Sequence, residues 1–152
     1  EYNKHEVLNQ TALAISHYMP HRGDLLDVGA AFGGFLEYAL KEGWRIHGLE
    51  LNRSRFDICK QRFSSEANSI FQCSTLENAE LNRISFDAIV LMNVIEHVKN
   101  PVDVCERAFE LLNPGGCLVI RWPQLAFRKS LHAAPEHLHG FTGRSIATLF
   151  KK

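Results

Sequence analysis

The chain has 152 residues, enough for one domain around a single core. Its 17 Lys and Arg balance 17 Asp and Glu, so no broad basic surface for nucleic acid is expected. No run of 18 apolar residues is present to span a membrane.

The polar start Glu1-Tyr2-Asn3-Lys4-His5 does not read as a secretory signal. The cysteines Cys59, Cys73, Cys105 and Cys117 are singly spaced with no C-x-x-C pair, which disfavours a zinc site. A single domain over residues 1–152, in the cytoplasm and with buried free thiols, is the expectation.

In chain order, Val7, Leu8, Ala12 and Ile15 share one face of a predicted helix over 4–19, which Pro20 ends. Residues 24–28 form a short apolar run, as a strand covered on both faces should. A turn carrying Gly29, Gly33 and Gly34 leads into a helix to Glu42, stopped by Gly43. Residues 44–50 read as a second strand. Asn52 or Ser54 caps a helix reaching Phe63. Residues 69–73 form a short third strand, and 86–92 a nearly all-apolar and therefore central fourth. Pro101 sits in the first turn of a helix to Leu112. Asn113-Pro114-Gly115-Gly116 reads as a turn and 117–122 as a fifth strand. A His-rich loop with His132, Pro135, His137 and His139 follows. Thr142 then caps a helix running into Lys151-Lys152. Alternating strands and helices predict an α/β fold with a doubly wound parallel sheet and right-handed crossovers.

The stretch from Leu25 to Phe35 carries the chemistry. A strand, a glycine turn and a helix N-terminus form the unit at which open α/β sheets bind nucleotide-like cofactors. Glycine lets the backbone turn sharply and approach a ligand. The turn lacks the Gly-Lys-Ser/Thr of a P-loop, and its Gly29, Ala31, Gly33 spacing misses the dinucleotide pattern G-x-G-x-x-G. That spacing, with no Tyr-x-x-x-Lys, disfavours an NAD(P)-linked oxidoreductase. Glu50 closes the second strand 21 positions after Gly29, where a carboxylate can accept hydrogen bonds from both hydroxyls of a ribose.

Four motifs point further. They are Asp27-x-Gly29-x-x-x-Gly33, then Phe86-Asp87-Ala88-Ile89 followed by Val94-Ile95-Glu96-His97-Val98, then Asn113-Pro114-Gly115-Gly116, and finally His139-x-Phe141-Thr142. In this order they resemble the class I S-adenosylmethionine (SAM) methyltransferases, in particular the group that includes ubiquinone-biosynthesis O-methyltransferases. The resemblance implies a three-layer Rossmann-like sheet of order 3-2-1-4-5. Five of the family's seven strands are expected here, which would leave the fifth strand at an edge open to association with a partner chain. It also implies methyl transfer from SAM, with S-adenosylhomocysteine (SAH) as product, to a small-molecule acceptor. Asp27, Gly29, Ala30, Ala31 and Gly33 should face the methionine part of SAM and the ribose edge. Glu50 should hold the ribose and Leu51 one adenine face. Thr75 and Leu76 should lie near the adenine amino group, and Asn93 near the methionine carboxylate or sulfonium.

Two positions depart from the family pattern. Ala31 replaces a glycine, which is tolerated if its φ is negative, and Thr75 replaces an acid. They keep open a second reading, a methyltransferase-like module that binds SAM weakly or not at all. On the acceptor side His97 is the candidate general base. The resemblance also allows Glu96 and His97 to bind a metal with His137 or His139. Metal-using relatives carry a carboxylate where this chain has Asn93, so no metal is the expectation. Tyr2, Tyr18 and the first helix are candidates for a lid over SAM.

Overall fold

The computed structural model describes residues 3–81, 84–123 and 136–150. Tyr2, His132, Pro135, Lys151 and Lys152 lie outside the described residues, so the roles expected of them stay with the sequence. The elements, in order, are α1 (Lys4–Tyr18), β1 (Asp24–Val28), α2 (Gly34–Lys41), β2 (Arg45–Leu49) and α3 (Arg53–Arg62). Then come β3 (Phe71–Gln72), β4 (Phe86–Met92), α4 (Pro101–Leu111), β5 (Leu112–Arg121) and α5 (Gly143–Thr148).

The five strands form one parallel sheet in the expected order β3-β2-β1-β4-β5. Alternating side chains send the strands' apolar residues to opposite faces. Leu26, Val28, Leu49, Ile89 and Leu91 pack with Val104, Ala108 and Leu111 of α4 and Ile146 of α5. Leu25, Ile46, Ala88 and Val90 pack with Ala12 and Ile15 of α1, Leu36 and Ala39 of α2 and Cys59 of α3. Both faces are therefore covered, and the three layers follow.

The caps are as the residue types dictate. Asn52, Asn100 and Thr142 each accept a hydrogen bond from a backbone N–H in the first turn of α3, α4 and α5. Thr142 and Ser145 complete a reciprocal capping box.

Three expectations are corrected. The third strand is only two residues long, because Ser69 and Ile70 lie in the approach to it. Asn113 to Gly116 is not a separate turn. The segment bulges out within β5, where Leu112 pairs with Phe86 and Cys117 with Ala88. Asp87 holds this bulge: its Oδ1 accepts from Asn113 Nδ2 at 2.9 Å, and its Oδ2 accepts from the Asp24 N–H at 2.9 Å. Finally, α1 cannot bring Tyr18 over the site, although its first half runs beside the start of α2, where Leu8 Cδ1 would stand 3.4 Å from a Cβ on Gly34. Its last turn is fastened at the N-terminal end of the sheet, where Trp44 Nε1 donates to Ser16 Oγ at 3.1 Å. Arg22 there donates to the carbonyls of Ser16 and Met19 and, through Nε, to that of Glu42. Tyr18 therefore lies at the opposite end of the sheet from the glycine turn.

The thiols are free, but only Cys59 and Cys105 are buried, while Cys73 is exposed and Cys117 half-buried. Burial pushes the Cys59 thiol up to about 11, so it is inert as a nucleophile.

At the same lower end, His47 of β2 ties β1 to the approach to β3. Its Nδ1 lies 3.0 Å from the Ile70 N–H nitrogen and accepts from it, so its Nε2 carries the proton and donates to Asp24 Oδ1 at 2.8 Å. Protonation would put a second donor against the Ile70 N–H. Burial lowers the His47 pKa from 6.5, and the hydrogen bond to Asp24 opposes this only in part. The unfolded chain therefore takes up the proton first. The stability from neutral His47 is complete above about pH 6.5 and is lost as pH falls from there towards the folded value. Arg45, chiefly by hydrogen bonding, holds the Asp24 carboxyl below its ordinary value, so its own contribution is lost in a separate, more acidic window. Melting temperature should fall as pH drops from 6.5 to 5, and His47→Gln, which can accept and donate at both places without titrating, should flatten that fall. An identical pH profile in the variant would remove His47 as the cause.

Candidate functional site

The site is built at the carboxyl ends of the strands, where the parallel register sets four strand ends side by side. Val28 is level with Leu49 and Leu91, and Leu49 with Gln72. The residues that follow each strand therefore meet: Gly29 to Ala31, Glu50 and Leu51, Cys73, and Asn93.

The glycine turn is locked into this position by β2. The N–H groups of Gly29 and Ala30 both donate to the Leu49 carbonyl at 2.8 Å. Gly29 has φ +77°, and a Cβ there would come within 2.6 Å of Val94 Cγ2. Gly33, also at φ +77°, serves a different purpose from the one expected. It is buried, and a Cβ on it would meet Phe63 Cε2 at 2.4 Å and Cys59 Sγ at 3.1 Å, so its lack of a side chain seats the turn on α3.

Ala31 has φ +49°, against the negative value that its tolerance was expected to need. A left-handed alanine costs about 1 kcal/mol or more, and Glu50 opposes that cost. The Ala31 N–H donates to Glu50 Oε2 at 2.9 Å, while the Asn52 N–H donates to Glu50 Oε1 at 2.7 Å. Glu50 is thus not a solvated strand end. It is 8% exposed and braces the turn from below. Each carboxylate oxygen has more than one lone pair, so acceptor capacity remains for a ligand.

Asp27 is 3% exposed and lies under the turn. Burial, and next the charge of Glu50, push its carboxyl well above the ordinary carboxylate range. Leu76 is also drawn inward, into the core, so only its backbone is available to a ligand. Thr75 is half-buried, and Leu51 is 67% exposed, free to cover a flat ligand. Asn93 is exposed at φ +53°, a conformation asparagine tolerates, and its N–H donates to the Arg121 carbonyl at 2.8 Å.

Phe32 was not singled out by sequence. It is 52% exposed at the turn, with the Arg55 guanidinium 5.9 Å from its ring. No period or motif marks such a residue.

The acceptor side is formed by the segment after β4 and the chain before α5. The Leu138 and His139 N–H groups donate to the Glu96 carbonyl at 2.8 and 3.1 Å. His139 Nε2 lies 3.0 Å from the Val98 carbonyl and donates to it. His97 Nδ1 likewise lies 3.0 Å from the Glu136 carbonyl. His97 Nε2 is 3.9 Å from Glu96 Oε1, and the rings of His97 and His137 stack edge to face at 4.8 Å. Among the described residues neither Glu96 carboxylate oxygen has a hydrogen-bond partner, although both are buried.

With this geometry in place, comparison with known proteins identifies the lineage. Residues 26–118 match the family described as "Methyltransferase domain". The chain belongs to that family. Its sheet order is that of the class I SAM methyltransferases. A ubiquinone biosynthesis O-methyltransferase of Coxiella burnetii is 33% identical over 96 residues, 62% of this chain and 41% of that protein. Its counterpart in Vibrio cholerae is 29% identical over 94 residues, 60% of this chain and 38% of that protein. The domain thus spans about two fifths of the length of these relatives. Among solved structures, a SAM-bound amino pentose methyltransferase of Micromonospora echinaspora has a TM-score of 0.68 at 22% identity, over 82% of this chain and 53% of that one. The plantazolicin methyltransferase with bound SAH has a TM-score of 0.79 at 16% identity, over 97% of this chain and 63% of that one. At such identities the likeness is one of fold.

Proposed function

We propose that the domain transfers a methyl group from SAM to a small-molecule acceptor, leaving SAH. The observation that carries this reading is the Glu50 carboxylate. It joins the turn after β1 to the end of β2 and keeps lone pairs for the two hydroxyls of a ribose. The family match and the names of the relatives agree with it.

SAM supplies a methyl group on a sulfonium, and the reaction is an in-line displacement in which the acceptor's lone pair forms the new bond and the C–S pair returns to sulfur. The protein's part is positioning and exclusion of water. The backbone of Gly29 to Ala31 would face the methionine and ribose edge. Leu51 would cover the adenine, the backbone at Thr75 and Leu76 would meet its amino group, and Asn93 would approach the methionine end. Asp27 and Gly33, both buried, would support the turn from beneath. His97 would stand at the acceptor end. No helix among the described residues is long and apolar enough to cross a membrane, and we place the reaction in the cytoplasm.

Isothermal titration with SAM, SAH and NAD tests the reading in one experiment. SAM and SAH should each bind at one equivalent per chain, and NAD should not bind. NAD binding in their place would make the domain a dinucleotide site, and binding of none would make it a scaffold.

A further inference from the structure

We propose that Asp27 is the residue by which the site separates SAM from SAH: its carboxyl is neutral in the free domain and releases its proton as the cationic SAM binds. This role rests on the SAM reading above and adds to it the group that answers the cofactor's charge.

Asp27 is the next-to-last residue of β1, two positions before Gly29. Alternation along the strand puts its side chain on the face of Leu25, under α1, α2 and α3. Only 3% of the residue is exposed. Among the described residues no hydrogen bond or ion pair reaches its carboxyl, and what acts on it is burial and the charge of Glu50. Its neighbours in the ladder, Gly48 of β2 and Val90 of β4, offer no polar side chain.

The charged groups about it are all accounted for. Glu50, also buried, comes from the end of β2. The Cys59 thiol comes from α3, and the Asp27 charge is one cause that raises its pKa. Among the described residues α1, α2 and β4 bring no buried ionisable group to this face. On α2, Glu37 is taken up by Lys41 and Arg62, and the Tyr38 hydroxyl lies against His5 at the surface. Two acids therefore lie beneath the turn with no cation among them. An unpaired carboxylate so placed is costly, and such a group stays protonated instead.

The cofactor supplies what the protein lacks. SAM carries a sulfonium and an α-ammonium against one carboxylate, a net positive charge, whereas SAH has lost the sulfonium charge. The turn that would receive the methionine part of SAM stands on Asp27. A net cation above it favours the ionised form, so the Asp27 proton passes to solvent as SAM binds. Methyl transfer returns the C–S electron pair to sulfur and abolishes the sulfonium charge. The carboxylate then loses its counter-charge and takes a proton back from solvent. The sign follows from linkage. SAM binding lowers the Asp27 pKa from its raised value in the free domain, so affinity for SAM rises with pH between the two values, by at most about tenfold per unit, and levels off above them.

Isothermal titration in phosphate and in Tris, whose ionisation enthalpies differ, counts the protons. SAM should release up to about one proton per chain, and SAH distinctly fewer. The preference for SAM over SAH should grow by about tenfold between about pH 6 and pH 8. Both ligands carry the same amino and carboxyl groups, so the titration of these does not enter the comparison. Asp27→Asn keeps the shape and the neutrality of the protonated acid. It should bind SAM with no proton release beyond that of SAH and with a SAM preference independent of pH. A merely structural Asp27 would leave the wild-type proton counts for the two ligands equal. If Asp27→Asn fails to fold, those wild-type counts decide alone. SAM binding with no more proton release than SAH overturns the role of Asp27 and leaves the SAM reading standing. An excess that persists in Asp27→Asn overturns it too, and assigns the proton to another group. No binding of SAM at all overturns the SAM reading and this role with it.

Discussion

Replacing Gly29 by valine should reduce the affinity for SAM by more than about 100-fold and lower the melting temperature of the free domain. Two separate causes act in the same direction. The φ of +77° costs a non-glycine residue about 1–2 kcal/mol, and a β-branched side chain pays more than an unbranched one. In addition, a Cβ would overlap Val94, at 2.6 Å. Relief of that overlap would displace either Val94, two residues before Glu96, or the turn itself. The turn is held by paired hydrogen bonds to the Leu49 carbonyl, so it cannot shift without losing them. The two causes can be separated. Gly29→Ala with Val94→Ala removes the overlap but keeps the φ penalty, so it should recover part of the stability lost by Gly29→Ala alone. Calorimetry and thermal melts read both effects. Normal SAM binding by Gly29→Val would mean that this turn is not the cofactor site.

The parts of the fold legible in sequence are those set by local chemistry. β1 and β4 are nearly continuous apolar runs because both their faces are covered, and their ends match the structure to the residue. The Asn52 and Thr142 caps are legible for the same reason, since each acts within its own first turn. β3 was overextended because only Phe71 and Gln72 pair with β2, at the sheet's edge. The bulge in β5 uses the turn chemistry that Asn113 to Gly116 advertise. What sequence could not show is that Asp87, in the neighbouring strand, keeps the bulge inside the ladder. What the sequence does not show at the site has one form. Glu50, Gly33 and Leu76 were assigned by position along the chain, whereas their surroundings come from distant segments: the Ala31 N–H, Phe63 and the core. On the acceptor side the resemblance names His137 and His139 beside Glu96 and His97, but the backbone hydrogen bonds from Leu138 and His139 to the Glu96 carbonyl that set them there join distant segments. No spacing rule spans that distance.

Glu50→Ala should weaken SAM binding at least tenfold, about 1.4 kcal/mol, and it should also destabilise the domain before any cofactor is added. The second effect follows from the burial of the side chain. Its two oxygens accept from the N–H groups of Ala31 and Asn52, and alanine leaves both donors without that partner. A buried donor left unsatisfied costs about 1–3 kcal/mol, less where water can enter. Ala31 would then keep its left-handed conformation with nothing to offset it. Glu50→Gln separates shape from chemistry. The amide has nearly the same volume, but one of its ends is a donor, and both positions it must fill face an N–H. Either orientation sets donor against donor, so Glu50→Gln should be closer to Glu50→Ala than to the wild type in both melting temperature and SAM affinity. If instead Gln restored the melting temperature but not the binding, the carboxylate would act on the ribose alone and the brace would be dispensable. Unchanged SAM affinity in both variants would remove Glu50 from the site.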